Sequence, residues 1–237
     1  MKSMLKSILY PRALIFTAIF TLVSGAAFAK DSALNYLKEG KPDGTELLAA
    51  PPLPDSPEQI ADMNEVREVY HAASEADKAA AESEKSFTVF NFAEAAGPFL
   101  VESKLPKTAA FFAKVQADAE KVTDDAKDFF KRPRPYTTDP TLANGKLEKS
   151  FSYPSGHSTE SMVLALVLAD LLPDKRDAII AHARQMGWHR VQIARHYPTD
   201  IYAGRVLALA IVKQFKKSED FEADFKAAKA ELTAAEK

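Results

Sequence analysis

Apolar residues recur at helical spacing along most of the chain, and no segment alternates strictly as a half-buried strand would. Ile60, Met63, Val66 and Tyr70 share one helical face, and an Ala/Glu/Lys-rich stretch continues to Lys85. Residues 87–100 form a second apolar segment, closed by Gly97 and Pro98. Pro106 opens a third helix carrying Phe111, Phe112, Val115 and Val122. Residues 158–172 are apolar on several faces (Met162, Val163, Leu164, Leu166, Val167 and Leu168), the pattern of a helix surrounded by others. Pro173 and Asp174 end that helix and cap another that runs to about Ala194. Pro198 suits the first turn of the next, which extends to Lys217, and a charged amphipathic helix follows from Glu219. The pattern predicts an all-α fold: a single-domain helical bundle around a buried central helix.

The start of the chain reads differently. Lys2, Lys6 and Arg12 precede an apolar run at 13–23, and Ala27-Phe28-Ala29 places small residues where a signal peptidase reads. Residues 1–29 are therefore expected to be a secretory signal peptide. A membrane anchor is the alternative, but the run falls short of the about 20 apolar residues that span a bilayer. Residues 30–57 are an N-terminal Pro-rich arm, with a turn at Lys41-Pro-Asp-Gly44 and an extended stretch at Pro51-Pro-Leu-Pro54. The arm is expected to lie over the domain, a flexible linker being the alternative. Residues 58–237 are the helical domain.

Composition narrows the chemistry. Without residues 1–29, which hold three basic residues and no acidic ones, 28 basic residues face 33 acidic ones, a net charge of −5. Nothing global draws this chain to nucleic acid, so any anion site must be built from local cations. Cysteine is absent, which excludes disulfides, thiol catalysis and thiolate metal sites. The longest apolar stretch after the first 29 residues, 162–172, is too short for stable membrane insertion. An exported chain of this kind is expected in the periplasm of a Gram-negative bacterium.

Three segments carry candidate chemistry. In Pro154-Ser-Gly-His157, just before the central helix, Gly156 lets an anion approach the backbone and the free N–H groups of the helix start favour negative charge. Ser155 adds a hydroxyl, and His157 could protonate a leaving oxygen. Read alone, the segment is equally an ordinary Ser cap followed by a surface histidine. Lys127 and Arg134 lie seven apart, with Pro133 and Pro135 stiffening the backbone around Arg134. Arg offers a planar fork to two phosphate oxygens and Lys a point charge. A solvated basic run, including Lys131 and Arg132, explains the same residues. In Arg190 to Asp200, Asp200 can reach back to an imidazole N–H of His196, fixing the tautomer and freeing the other nitrogen to attack. Arg190 can clamp the same anion. The alternative is a His–Asp pair that only caps a helix. His182, His189 and His196 recur every seven residues, but two helical turns, about 10.5 Å, separate neighbours too widely to share one metal ion.

Together the segments read K-x6-R-P, P-S-G-H and R-x5-H-x3-D, which resembles the type 2 phosphatidic acid phosphatase (PAP2) superfamily, of bacterial acid phosphatases, lipid phosphatases and vanadium haloperoxidases. Among these the chain is most similar to the secreted class A bacterial nonspecific acid phosphatases, from about Pro51 to Phe215. The resemblance implies an acid phosphatase of broad specificity for small phosphate monoesters, acting without a metal or other cofactor and assembling as a homo-oligomer. It implies Lys127, Arg134, Ser155, Gly156 and Arg190 as the phosphate cradle. His196 would be the nucleophile that forms a phosphohistidine, oriented by Asp200, and His157 the acid and then the base. Three departures stand out: His189 replaces the family's Ser before the third-motif Arg, Ala194 replaces a frequent Gly, and the cysteines of many class A enzymes are missing. A vanadate-dependent haloperoxidase and a soluble phosphatase acting on lipid phosphates are the competing activities. Phe129, Phe130 and Tyr153 flank the motifs as candidate pocket walls, though core packing is the preferred reading of each. Phe221 and Phe225 are the candidate self-association face of the last helix.

Overall fold

The computed structural model describes residues 34–237, and the expected signal peptide lies outside the described residues. The described residues form helices α1 (Gly44–Leu47), α2 (Pro57–Ala72), α3 (Glu75–Ser83), α4 (Ala93–Ala96), α5 (Pro106–Phe130), α6 (Pro135–Thr138), α7 (Gly156–Leu171), α8 (Arg176–Gln192), α9 (Pro198–Phe215) and α10 (Glu219–Ala235), with no strand among them. The all-α, single-domain expectation holds. No helix of the described residues is long and apolar enough to cross a membrane.

α7 is the axis of the bundle. α5, α8 and α9 pack along it, and α10 packs on α5. Ser155 caps its start by accepting from Ser158 N at 3.3 Å. From Ser161 to Ala165 every side chain is buried, so the all-round apolar pattern meets partners on every side.

Proline and local caps set the other boundaries. Pro106 and Pro198 occupy first helical turns, where a missing N–H costs nothing. α5 stops because Lys131 adopts φ +51, and Pro133 follows. The helical pattern of 57–85 is two helices, not one. Ser74 ends the run by forming a capping box with Asp77, which starts α3. Pro173 and Asp174 do not cap α8. They lie in a 3-10 turn, and the residue before α8 is Lys175, without a side-chain cap.

The segment before α2 is fastened to the bundle. Asp118, fully buried on α5, accepts from the backbone N–H groups of Asn35, Tyr36 and Leu37. Tyr153 Oη donates to Ala49 O at 2.6 Å. Tyr36 also meets Phe111, Phe215 and Phe221 edge-on or tilted. This cluster corrects the self-association face. Phe221 is 2 % exposed and stacks on Phe215 at 5.3 Å, and Phe225 packs against the same core. The apolar stripe of α10 is consumed within the chain.

Candidate active site

The third motif turns out of α8 into α9 through a tight bend. Ala194 adopts φ +53 there, and Arg195 and His196 both donate their N–H to Arg190 O. The bend points His196 toward the end of α5 and the start of α7.

His196 has distinct neighbours on its two ring nitrogens. Arg134 Nη1 lies 3.2 Å from Nε2. A guanidinium can only donate, so Nε2 holds the lone pair and Nδ1 the proton. Nδ1 in turn faces Asp200 Oδ2 and Ser152 Oγ, each at 3.4 Å. Burial, reinforced by the charge of Arg134, holds the imidazole well below its ordinary pKa, so it is neutral and nucleophilic in mild acid.

Asp200 is fully buried and richly satisfied. Its Oδ2 accepts from Ser152 Oγ at 2.6 Å and Tyr197 N at 2.9 Å, and its Oδ1 from Arg132 Nη1 at 2.6 Å. Burial pushes its carboxyl up, and Arg132 with these hydrogen bonds opposes the push. Arg132 also donates through Nη2 to Asp62 Oδ2 at 2.7 Å and lies 3.9 Å over the Tyr197 ring. Burial lowers its own pKa, but the two carboxylates outweigh that, so the net shift is upward.

Cations surround Nε2. Arg134 is anchored through Nε to Ser150 O and Nη1 to Arg195 O. Arg190 donates to Ala81 O at 2.9 Å, and burial lowers its pKa to about 10, still charged at any working pH. Lys127 closes the α5 side, its Nζ only 3.1 Å from where a Cβ on Gly156 would stand. A side chain here would press on the ammonium, which would have to shift by a few tenths of an ångström. Arg190 Nε and Arg195 Nη1 are buried without a hydrogen-bond partner among the described residues. Donors left free beside a cluster of cations fit an anion.

His157 lines a cavity of about 840 Å³ with Arg190, Arg195 and Glu148. Its Nε2 donates to Glu84 O at 3.2 Å, which leaves Nδ1 as the basic nitrogen. Burial first and Arg190 second lower its pKa to about 3, so the resting imidazole is neutral. Glu84 is held in place by His189, whose Nδ1 donates to Glu84 Oε2 at 2.8 Å. The histidine that replaces the family serine thus braces the partner of His157. The other member of the seven-residue histidine series, His182, packs against Phe92 instead.

The structure therefore brings Lys127, Arg134, Gly156, His157, Arg190, His196 and Asp200 to one end of the bundle. Ser155 is at the same end but fully buried, its Oγ engaged in capping α7. Of the three aromatics that flank the motifs, Phe130 and Tyr153 pack in or against the core, the reading preferred for them, and Phe129 does not. Phe129 is 63 % exposed, Phe130 packs on Tyr153 at 5.1 Å, and Tyr153 is buried under the arm, so none lines the cavity of His157. Tyr70 lines it instead. Sequence reading also missed Arg132, Arg195, Ser152 and Glu148. Arg132 and Arg195 sit inside or beside the motifs, which was a usable signal. Glu148 had none. Glu160, one turn into α7, accepts from Gln116 Nε2, and burial pushes its carboxyl up to about 7.

Residues 109–220 match the PAP2 superfamily. It is 30% identical over 167 residues to a non-specific acid phosphatase of Providencia stuartii, covering 68% of this chain and 65% of that protein. It is 31% identical over 147 residues to an acid phosphatase of Zymomonas mobilis, covering 60% of this chain and 56% of that protein. The chain thus spans less than two thirds of the length of either relative. Among solved structures, a transmembrane PAP2 type phosphatidylglycerolphosphate phosphatase from Bacillus subtilis aligns at TM-score 0.47 and 22% identity, over 67% of this chain and 84% of that one.

Proposed function

We propose that this protein is an acid phosphatase that hydrolyses phosphate monoesters through a phosphohistidine at His196, without a metal, in the periplasm after removal of residues 1–29. The observation that carries the reading is the two-sided environment of His196: a lone pair at Nε2 facing the cations and a proton at Nδ1 facing Asp200. The acid phosphatases of Providencia stuartii and Zymomonas mobilis are similar over most of the chain, which supports the same activity here.

In the proposed reaction Lys127, Arg134 and Arg190 take up the charge of the phosphoryl oxygens, the role electrostatic preorganisation plays in phosphoryl transfer. Nε2 of His196 attacks phosphorus as the bond to the ester oxygen breaks. His157 gives its proton to that oxygen, releasing the alcohol. Water then attacks the phosphohistidine, His157 takes the water's proton, the P–N bond breaks and inorganic phosphate leaves. His157 is neutral at rest, so it must gain its proton once a bound phosphoryl group has offset the field of Arg190. That requirement places the activity in acid.

Hydrolysis of p-nitrophenyl phosphate from about pH 4 to 8 with EDTA present tests the reading, with His196→Ala alongside. The expected result is an acid optimum that survives chelation and disappears in the variant. Loss of activity on chelation would remove the metal-free mechanism, and an active His196→Ala would remove the nucleophile.

A further inference from the structure

An acidic side chain stands where the cations would hold a phosphoryl group. Glu148 belongs to the connection between α6 and α7. Its Oε2 is ion-paired with Arg134 Nη2, and its Oε1 lies 3.9 Å from both Arg190 Nη2 and Arg195 Nε. The seat is specified by contacts along the connection. Arg195 Nη2 donates to Asn144 O at 2.6 Å and Lys146 O at 3.3 Å. Tyr136 Oη accepts from Glu148 N at 3.2 Å and donates to Glu148 O at 3.1 Å.

The seat also borders the cavity. Glu148 lines the cavity that opens beside His157, whereas Arg134 and His196 do not line it and are 3 % and 2 % exposed. Glu148 touches Arg134 directly, so its carboxylate joins the cavity, which Arg190 and Arg195 also line, to the buried Arg134 beside Nε2. It is an incomplete occupant. A carboxylate brings two oxygens and one charge, and Arg190 Nε and Arg195 Nη1 keep no partner beside it. A phosphoryl group brings three acceptor oxygens and up to about two charges, enough to displace it.

We propose that Glu148 is a tethered competitor for the phosphate cradle, so that it sets the affinity of the site for substrate and product alike. This rests on the reading of the cations as a phosphate cradle. A phosphoryl group enters as the carboxylate swings out, and its return helps to expel the product. Because the occupant is part of the chain, it weakens every cradle ligand by one common factor, the inverse of the open fraction.

Titration calorimetry of the full chain with inorganic phosphate, and separately with orthovanadate, tests this in wild type, Glu148→Gln and Glu148→Ala. Gln keeps the shape and removes the charge, and Ala removes both. The expected result is tighter binding in both variants, about tenfold if roughly nine molecules in ten are closed, by the same factor for both anions. Phosphate inhibition of ester hydrolysis should tighten in step. Unchanged or weaker binding in both variants would overturn the proposal and make Glu148 a scaffold that aligns the arginines. Absence of phosphate binding in wild type and variants together would overturn the cradle itself, a distinct failure.

Discussion

Arg132 Nη1 donates to Asp200 Oδ1 across 2.6 Å, deep beneath His196, and the same guanidinium reaches Asp62 at 2.7 Å. One cation thus pairs with two buried carboxylates that come from α2 and α9. Replacing Arg132 with Met keeps the bulk and strands both charges. The expected loss is about 3–5 kcal/mol in urea unfolding, because an unpaired buried charge costs more than the pair contributes. Arg132→Lys keeps a charge but not the fork, and should fall between wild type and Met. A Met variant as stable as wild type would mean that Asp62 and Asp200 are paired by other groups.

Two glycines near the cradle should fail in different ways. A Cβ at Gly204 would sit 2.9 Å from Ser155 O and 3.0 Å from Ser158 Cβ, against backbone and rigid side chain. Gly204→Ala therefore pries α9 from α7 and should cost about 1–3 kcal/mol of stability. A Cβ at Gly156 meets the movable end of Lys127 instead, at 3.1 Å. Gly156→Ala should keep its melting temperature within a few degrees, about 1 kcal/mol in these terms, yet lose most phosphatase activity as the ammonium is pushed away. Thermal unfolding and ester hydrolysis on both variants separate the two outcomes.

Ala194 adopts φ +53 in a position that is fully buried. Left-handed backbone costs a residue with a Cβ about 1–2 kcal/mol, and glycine nothing comparable. Glycine gives part of that back through greater freedom in the unfolded chain, about 0.4–1 kcal/mol. Ala194→Gly should therefore raise stability by up to about 1.6 kcal/mol and leave turnover intact. Destabilisation would show that the methyl group contributes more by packing than it costs in strain.

The buried histidines make stability depend on pH. The folded-state pKa of His157 is lowered from 6.5 to about 3, so below 6.5 the unfolded chain binds a proton that the folded chain does not. Its contribution is complete above the unfolded value and is lost as the pH falls toward the folded one. In His157→Asn this loss is absent, while His196 behaves alike in both proteins. Between pH 7 and 5 wild type should lose roughly 2 kcal/mol more than His157→Asn. Equal losses would mean that the imidazole takes up its proton in the folded state. Saturating phosphate should shrink the difference, because bound anion favours the charged imidazole.

What the sequence determined by itself is local. Periodicity placed the long helices because a 3.6-residue repeat needs no knowledge of partners. The offset between His196 and Asp200 was legible because both lie around one helix start, where four residues bring side chains together. The same rule misread 57–85 as continuous, because an apolar count does not register the Ser74 cap.

The tertiary structure decided what depends on distant parts of the chain. Arg132 meets Asp62 and Asp200 across 70 and 68 positions, and nothing local distinguishes it from Lys131, its solvated neighbour. Phe221 faces inward because Tyr36, Phe111 and Phe215 are there to receive it. Glu148 meets Arg134, Arg190 and Arg195 only once α8 and the α6–α7 connection are packed. A charge in a loop carries no periodicity, so its partner is set by the approach of packed helices and not by its neighbours in the chain.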